Sequence, residues 1–154
     1  MRWIVLIVWL GLCFGVAALG GRWTATEIPT WYRTLARPTF APPNWVFGPV
    51  WSVLYLLMAL AAWRVSLAQA GPLRTAALAL FVAQLALNLA WSWIFFGRHA
   101  IGAAVVEIVV LWVAIGATTL VFARVAPVAA WMMAPYWAWV TFAAVLNAAY
   151  WRLN

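Results

Sequence analysis

Charge is what this chain has least of. Only 7% of its 154 residues are charged, while 69% are hydrophobic. A water-soluble fold of this size has no interior large enough to hide that much apolar surface. A soluble domain is therefore excluded, and the bilayer is the solvent that the composition demands. Lysine is missing altogether, the only acids are Glu27 and Glu107, and the +7 balance comes from nine arginines. These arginines fall between and beside apolar runs rather than on one soluble face. Their charge reads as anchoring to anionic lipid headgroups, with no nucleic-acid surface. The single cysteine, Cys13, lies inside an apolar stretch, which rules out a disulfide framework and a thiolate metal site. The single histidine, His99, has no cluster of acids or thiolates around it in sequence, so no metal is expected. Phosphate loops, nucleophile elbows and paired carboxylates are absent too, leaving conventional catalysis without a carrier.

What is present is long apolar runs, at residues 3–20, 46–63, 75–96, 101–123 and 128–151. Each approaches the roughly 20 residues that cross a hydrocarbon core as a helix. They predict an all-α integral membrane protein, a five-helix bundle forming one domain over residues 1–154. Arginines punctuate the runs, and Gly71-Pro72, Gly97 and Pro127 supply turn or breaker signals. Short connections after the second helix predict antiparallel neighbours. Met1-Arg2, an apolar stretch and small residues at 16–18 also fit a cleaved signal peptide, but the run is long enough to span, and a retained first helix is the expectation. Gly11 and Gly15 have the GxxxG spacing that admits a neighbouring helix. With five spans, Arg22, Arg33, Arg37, Arg98 and Arg152 fall on one side against four arginines on the other, which points to a cytoplasmic C-terminus and first loop.

Chemistry enters through stripes. On the third run Gln84, Asn88 and Ser92 repeat every four residues, and at about 100° per residue they share a face with Phe81, Trp91 and Phe95. Polar groups in a span need partners or a cavity, so this face either glues helices together or lines a pocket. Ala79, Ala83, Ala86 and Ala90 fall on the opposite face, small enough for a homodimer contact or close packing within the chain. The fifth run repeats the pattern with Pro135, Trp139, Ala143 and Asn147, and the second offers Trp51, Tyr55, Met58 and Ala62. Together they predict a partly apolar cavity with a few hydrogen-bonding groups, suited to a flat or lipophilic molecule. Trp3, Trp63, Trp131 and Trp151 belong instead to interfacial belts. The first loop, expected from Gly21 onward, is long, aromatic and stiffened by prolines at 38, 42, 43 and 49, as a lid over the bundle would be. Glu107, the one acid inside a span, is expected to find Arg33, Arg37 or Arg98, or to remain a protonated acid.

The stretch "RPTFAPPNWVFGPVWSVLYLLMALAAWRV" resembles the tryptophan-rich sensory protein family, also called translocator protein or peripheral-type benzodiazepine receptor. So do "WYRTLARP" at 31–38, "QLALNLAWSWIFFGRHAIGAA" at 84–104 and "PYWAWVTFAAVLNAAYWRLN" at 135–154, in the same order. The resemblance implies a five-helix bundle, often dimeric, whose first loop caps a pocket for porphyrins such as protoporphyrin IX or haem and for lipophilic drug-like ligands. By motif position Tyr32, Pro42, Pro43, Trp51, Asn88 and Ser92 would form the pocket, with Trp139, Ala143 and Asn147; Trp91 joins them from its stripe. Trp51 and Trp139 match two tryptophans linked in some bacterial relatives to light-dependent porphyrin breakdown, which would make them catalytic in a photo-oxidative enzyme. Phe40 stands where many members carry tryptophan. Leu146, Tyr150 and Arg152 fit a loose cholesterol consensus.

The sequence therefore predicts a membrane receptor or sensor for tetrapyrroles, with the porphyrin as ligand rather than a required cofactor. Its rivals are a light-dependent porphyrin-degrading enzyme, whose chemistry would come from the excited ligand, and a porphyrin or sterol transporter, for which no internal repeat or broken helix is evident.

Overall fold

A computed structural model describes residues 1–154. Five helices run through it: α1 (Arg2–Glu27), α2 (Phe47–Ser66), α3 (Pro72–Ser92), α4 (Ile101–Val125) and α5 (Pro127–Leu153). All five are long and apolar enough to cross a membrane. The chain is an integral, multi-pass membrane protein with no strands.

The helix ends follow local chemistry. Pro72 and Pro127 open α3 and α5 at first-turn positions, where their missing N–H costs nothing. The prediction that α1 stops at Gly20 is corrected, since the helix continues to Glu27. Gly20 and Gly21 do not break it because its backbone ladder is unbroken and tertiary packing holds it. A Cβ at Gly20 would lie 3.1 Å from Ser92 Oγ, so glycine here is a contact site for α3. Gly11 and Gly15 meet nothing within 4 Å, so the GxxxG pair seats no helix within this chain. The α3 helix ends in a π turn, Trp93–Gly97, in which the Arg98 N–H donates to Trp93 O at 2.8 Å. His99 follows at φ 54, an uncommon left-handed conformation for a residue with a side chain.

The core lies between α2, α3, α4 and α5, with Met58, Phe81, Phe122 and Tyr136 fully enclosed. Trp3, Trp131 and Trp151 remain exposed, as belt residues should. At the N-terminal end of α1 the bundle is tied to α2. Trp9 Nε1 donates to Ser66 Oγ at 2.8 Å, Trp63 Nε1 donates to Arg2 O at 2.9 Å, and Trp3 stacks on Trp63 at 5.8 Å.

Candidate functional site

At the opposite end the helices part around a cavity of about 430 Å³, within the range of small-molecule sites. Its wall on α2 is Phe47, Gly48, Trp51, Ser52 and Tyr55. The α3 helix contributes Asn88, Trp91 and Ser92, and the π turn adds Phe95 and Phe96. From α5 come Trp139, Ala143, Leu146, Asn147 and Tyr150, and α4 takes no part, backing α3 and α5 instead. No charged side chain lines it.

Of the residues singled out in the sequence, Tyr32, Trp51, Asn88, Trp91, Ser92, Trp139, Ala143 and Asn147 all meet at this one cavity. Pro42 and Pro43 do not line it. Pro43 instead precedes a 3-10 turn, Asn44–Val46, that brings Asn44 to the cavity rim. Gln84 and Phe81 sit deeper in the core, as do Met58 and Ala62, and Pro135 is exposed.

Two amides on the wall have their hydrogen bonds taken up inside the bundle. Asn88 Oδ1 accepts from Tyr55 OH at 2.7 Å, and its Nδ2 donates to Tyr136 OH at 2.9 Å. Tyr136 OH in turn donates to Gln84 Oε1 at 2.8 Å. Asn147 Oδ1 accepts from Trp91 Nε1 at 3.0 Å, and its Nδ2 donates to Ile101 O at 3.2 Å. The two alternatives for the polar stripe are thus both realised: the residues line a cavity and bind helices to one another. Trp139 Nε1 is a buried donor with no partner. The rings are held by neighbours, Trp51 against Tyr55 at 5.6 Å and Tyr136 at 6.2 Å, and Trp139 against Phe47 at 6.1 Å and Phe142 at 5.4 Å.

The loop between Ile28 and Val46 covers the cavity end and is fixed at several points. His99 Nε2 and Glu27 Oε2 lie 2.9 Å apart, and Trp31 stacks on the His99 ring at 4.0 Å and 10°. Asn154 Oδ1 accepts from Ala36 N at 2.8 Å while its Nδ2 donates to Ala36 O at 3.1 Å. The Arg37 guanidinium donates to Asn44 Oδ1 at 3.3 Å and to the carbonyls of Ala41 and Pro42. Phe40 lies edge-on to Phe142 at 6.4 Å. Under this cover Tyr32 packs on Phe95, Phe96 and Tyr150, and burial pushes its phenol well above the ordinary value, so it stands as a neutral hydroxyl.

Three further features bear on the sequence reading. Of the two alternatives for Glu107, the structure shows the one without an ion partner: both carboxylate oxygens are buried and unpaired, while Arg37 is engaged in the loop and Arg98 lies over Trp93 at 5.5 Å. Leu146 and Tyr150 face the cavity rather than lipid, so the cholesterol consensus does not form an outer surface. The sequence reading also missed the α1 wall, from Phe14 through Gly21 to Ala25, since small apolar residues carry no chemical signature. Ala79, Ala83 and Ala86 are exposed on α3 and Ala90 is half-buried, all away from the cavity.

Comparison with known proteins agrees with this architecture. The TspO/MBR family profile matches residues 7–152. The tryptophan-rich protein TspO of Chlorobaculum tepidum is 37% identical over 98% of this chain and 96% of its own. The human translocator protein is 40% identical over 88% of this chain and 82% of its own. The tryptophan-rich sensory protein of Cereibacter sphaeroides is 36% identical over 100% of this chain and 94% of its own. A match across nearly the whole sequence, on a five-helix membrane bundle, establishes that the chain belongs to the TspO/MBR family.

Proposed function

We propose that this protein is a membrane receptor that binds a porphyrin, or another flat lipophilic molecule, in the lid-end cavity. The observation that carries the reading is the wall itself: Trp51, Trp91 and Trp139 face one uncharged space with amides and hydroxyls at its edge. Indole faces supply broad apolar contact at small entropic cost, and burial contributes about 25 cal/mol per Å² before the losses of ordering. Trp139 lends the wall its ring, held in place against Phe47 and Phe142. Asn88 and Asn147 act by holding the wall in place, since their own hydrogen bonds are already made. The exposed alanine face of α3 is a fitting surface for a second copy in a homodimer, and the arginine balance favours a cytoplasmic lid and C-terminus.

Protoporphyrin IX titrated against wild type and Trp139→Ala, followed by tryptophan quenching, tests the site. Loss of one well-packed indole should weaken binding at least about tenfold, roughly 1.4 kcal/mol. Equal affinity in both proteins would remove Trp139 from the site.

A further inference from the structure

The lining residues differ in exposure according to the helix they come from. Phe14, Gly21 and Ala25 on α1, and Gly48 and Ser52 on α2, line the cavity and are exposed. Every lining residue from α3, α5 and the covering loop is buried or half-buried. The exposed part of the cavity wall is therefore confined to α1 and α2, within two helices long and apolar enough to span.

The packing accounts for this gap. Near the N-terminus of α1 the two helices are joined by Trp9 on Ser66 and by Trp63 on Arg2. Their last ring contact going toward the lid is Phe14 on Tyr55, at 6.5 Å. Beyond it α1 leans to the other side. Gly20 packs on Ser92, Trp23 approaches Gly97, and Glu27 pairs with His99. Past Phe14 and Tyr55 the cavity-lining residues of the two helices include small ones, Gly21 and Ala25 on α1 and Gly48 and Ser52 on α2, and a Cβ at Gly21 or Gly48 would meet nothing within 4 Å. The aqueous end, by contrast, is closed by the His99–Glu27 pair, the Trp31 stack and the paired bonds of Asn154 to Ala36.

The geometry points to a lateral portal between α1 and α2, through which a lipophilic ligand passes between the cavity and the surrounding leaflet while the lid stays shut. This rests on the reading of the cavity as a ligand site and adds its route. The route selects lipid-soluble molecules, because a ligand that partitions into the bilayer arrives already concentrated and desolvated at the opening. Side-chain volume at positions 25, 48 and 52 then governs the rate of exchange.

The test uses full-length protein in liposomes, with protoporphyrin IX supplied from donor vesicles and exchange followed by stopped-flow quenching. Ser52→Trp and Ala25→Trp fill the portal from either helix. Each should slow both association and dissociation, by about tenfold for a barrier raised by roughly 1.4 kcal/mol. His99→Ala loosens the lid and should leave exchange within about twofold of wild type. Unchanged rates in both filled variants, with faster exchange in His99→Ala, would place the route through the lid and overturn the portal.

A second readout does not depend on porphyrin. In a Cys13→Ala background, Ala143→Cys places a thiol at the cavity wall. A lipid-soluble maleimide should label it faster than a charged one, and Ser52→Trp should slow that labelling. Equal labelling by both reagents, unaffected by Ser52→Trp, would overturn the portal even if wild type takes no porphyrin, an outcome that by itself rejects only the proposed ligand.

Discussion

Replacing Asn88 with leucine probes the polar centre of the bundle, and its cost can be worked from the bonds it breaks. The amide accepts from Tyr55 OH at 2.7 Å and donates to Tyr136 OH at 2.9 Å. In Asn88→Leu, Tyr136 keeps its bond to Gln84, but the Tyr55 hydroxyl, in a residue only 6% exposed, loses its acceptor. An orphaned buried hydroxyl costs about 1–3 kcal/mol. Interhelical bonds in membranes average nearer 0.6, with a maximum of about 1.7 kcal/mol. A loss of about 1–2 kcal/mol is expected. Tyr55→Phe removes the donor and leaves Asn88 Oδ1 unpaired, while the double variant leaves neither orphan of that pair. The double loss should therefore fall short of the sum of the singles by about 0.6–1.7 kcal/mol. Reversible unfolding in mixed detergent micelles, monitored by circular dichroism, measures all four corners of the cycle. Additive losses would mean that the two side chains are not coupled, and the account of the polar stripe as helix-binding glue would fall.

Other perturbations follow from contacts elsewhere. A Cβ at Gly116 would lie 2.7 Å from Trp137 Cζ2 in a buried setting, so Gly116→Ala should destabilise by about 1–3 kcal/mol; an unchanged unfolding curve would show that the indole swings away freely. Asn154→Ala removes both bonds to Ala36, and limited proteolysis should then cut the 28–46 loop several-fold faster than in wild type; equal cutting would mean that Trp31 and Arg37 hold the loop unaided. Glu107→Gln sacrifices no ion pair, and stability should hold or rise; a loss beyond about 1 kcal/mol would reveal a partner for the carboxylate.

The fold was legible wherever composition speaks, because a run of about 20 apolar residues in a bilayer has one economical structure. Four-residue stripes located the α3 and α5 walls: Asn88, Ser92, Trp139 and Asn147 carry amides, a hydroxyl and an indole, whose periodicity is visible against alanine and leucine. The α1 wall had no such contrast. Gly20 matters because Ser92 sits against it, a fact of tertiary distance that no spacing within α1 records. The end of α1 was misread for a related reason, since a glycine pair signals a break only when packing does not hold the helix together. For Glu107 the sequence left an arginine partner and a protonated acid both open, because side of the membrane alone says nothing about which arginines the loop has already claimed.

The π turn at Trp93–Gly97 has a consequence for how the chain tolerates change in length. In an α-helix neighbours diverge by about 100°, yet Phe95 and Phe96 are both buried, at 3% and 7% exposure. The wide turn holds one residue more than the ladder needs, so Phe95 and Phe96 both reach the cavity, and the chain leaves the helix at Gly97 in the direction that presents His99 to Glu27. Deleting Ile94 would restore a regular ladder while carrying the imidazole about a quarter-turn off its acid and off Trp31. The cavity wall and the closure of its lid are thus coupled through this one turn, and one residue of chain length keeps them in step.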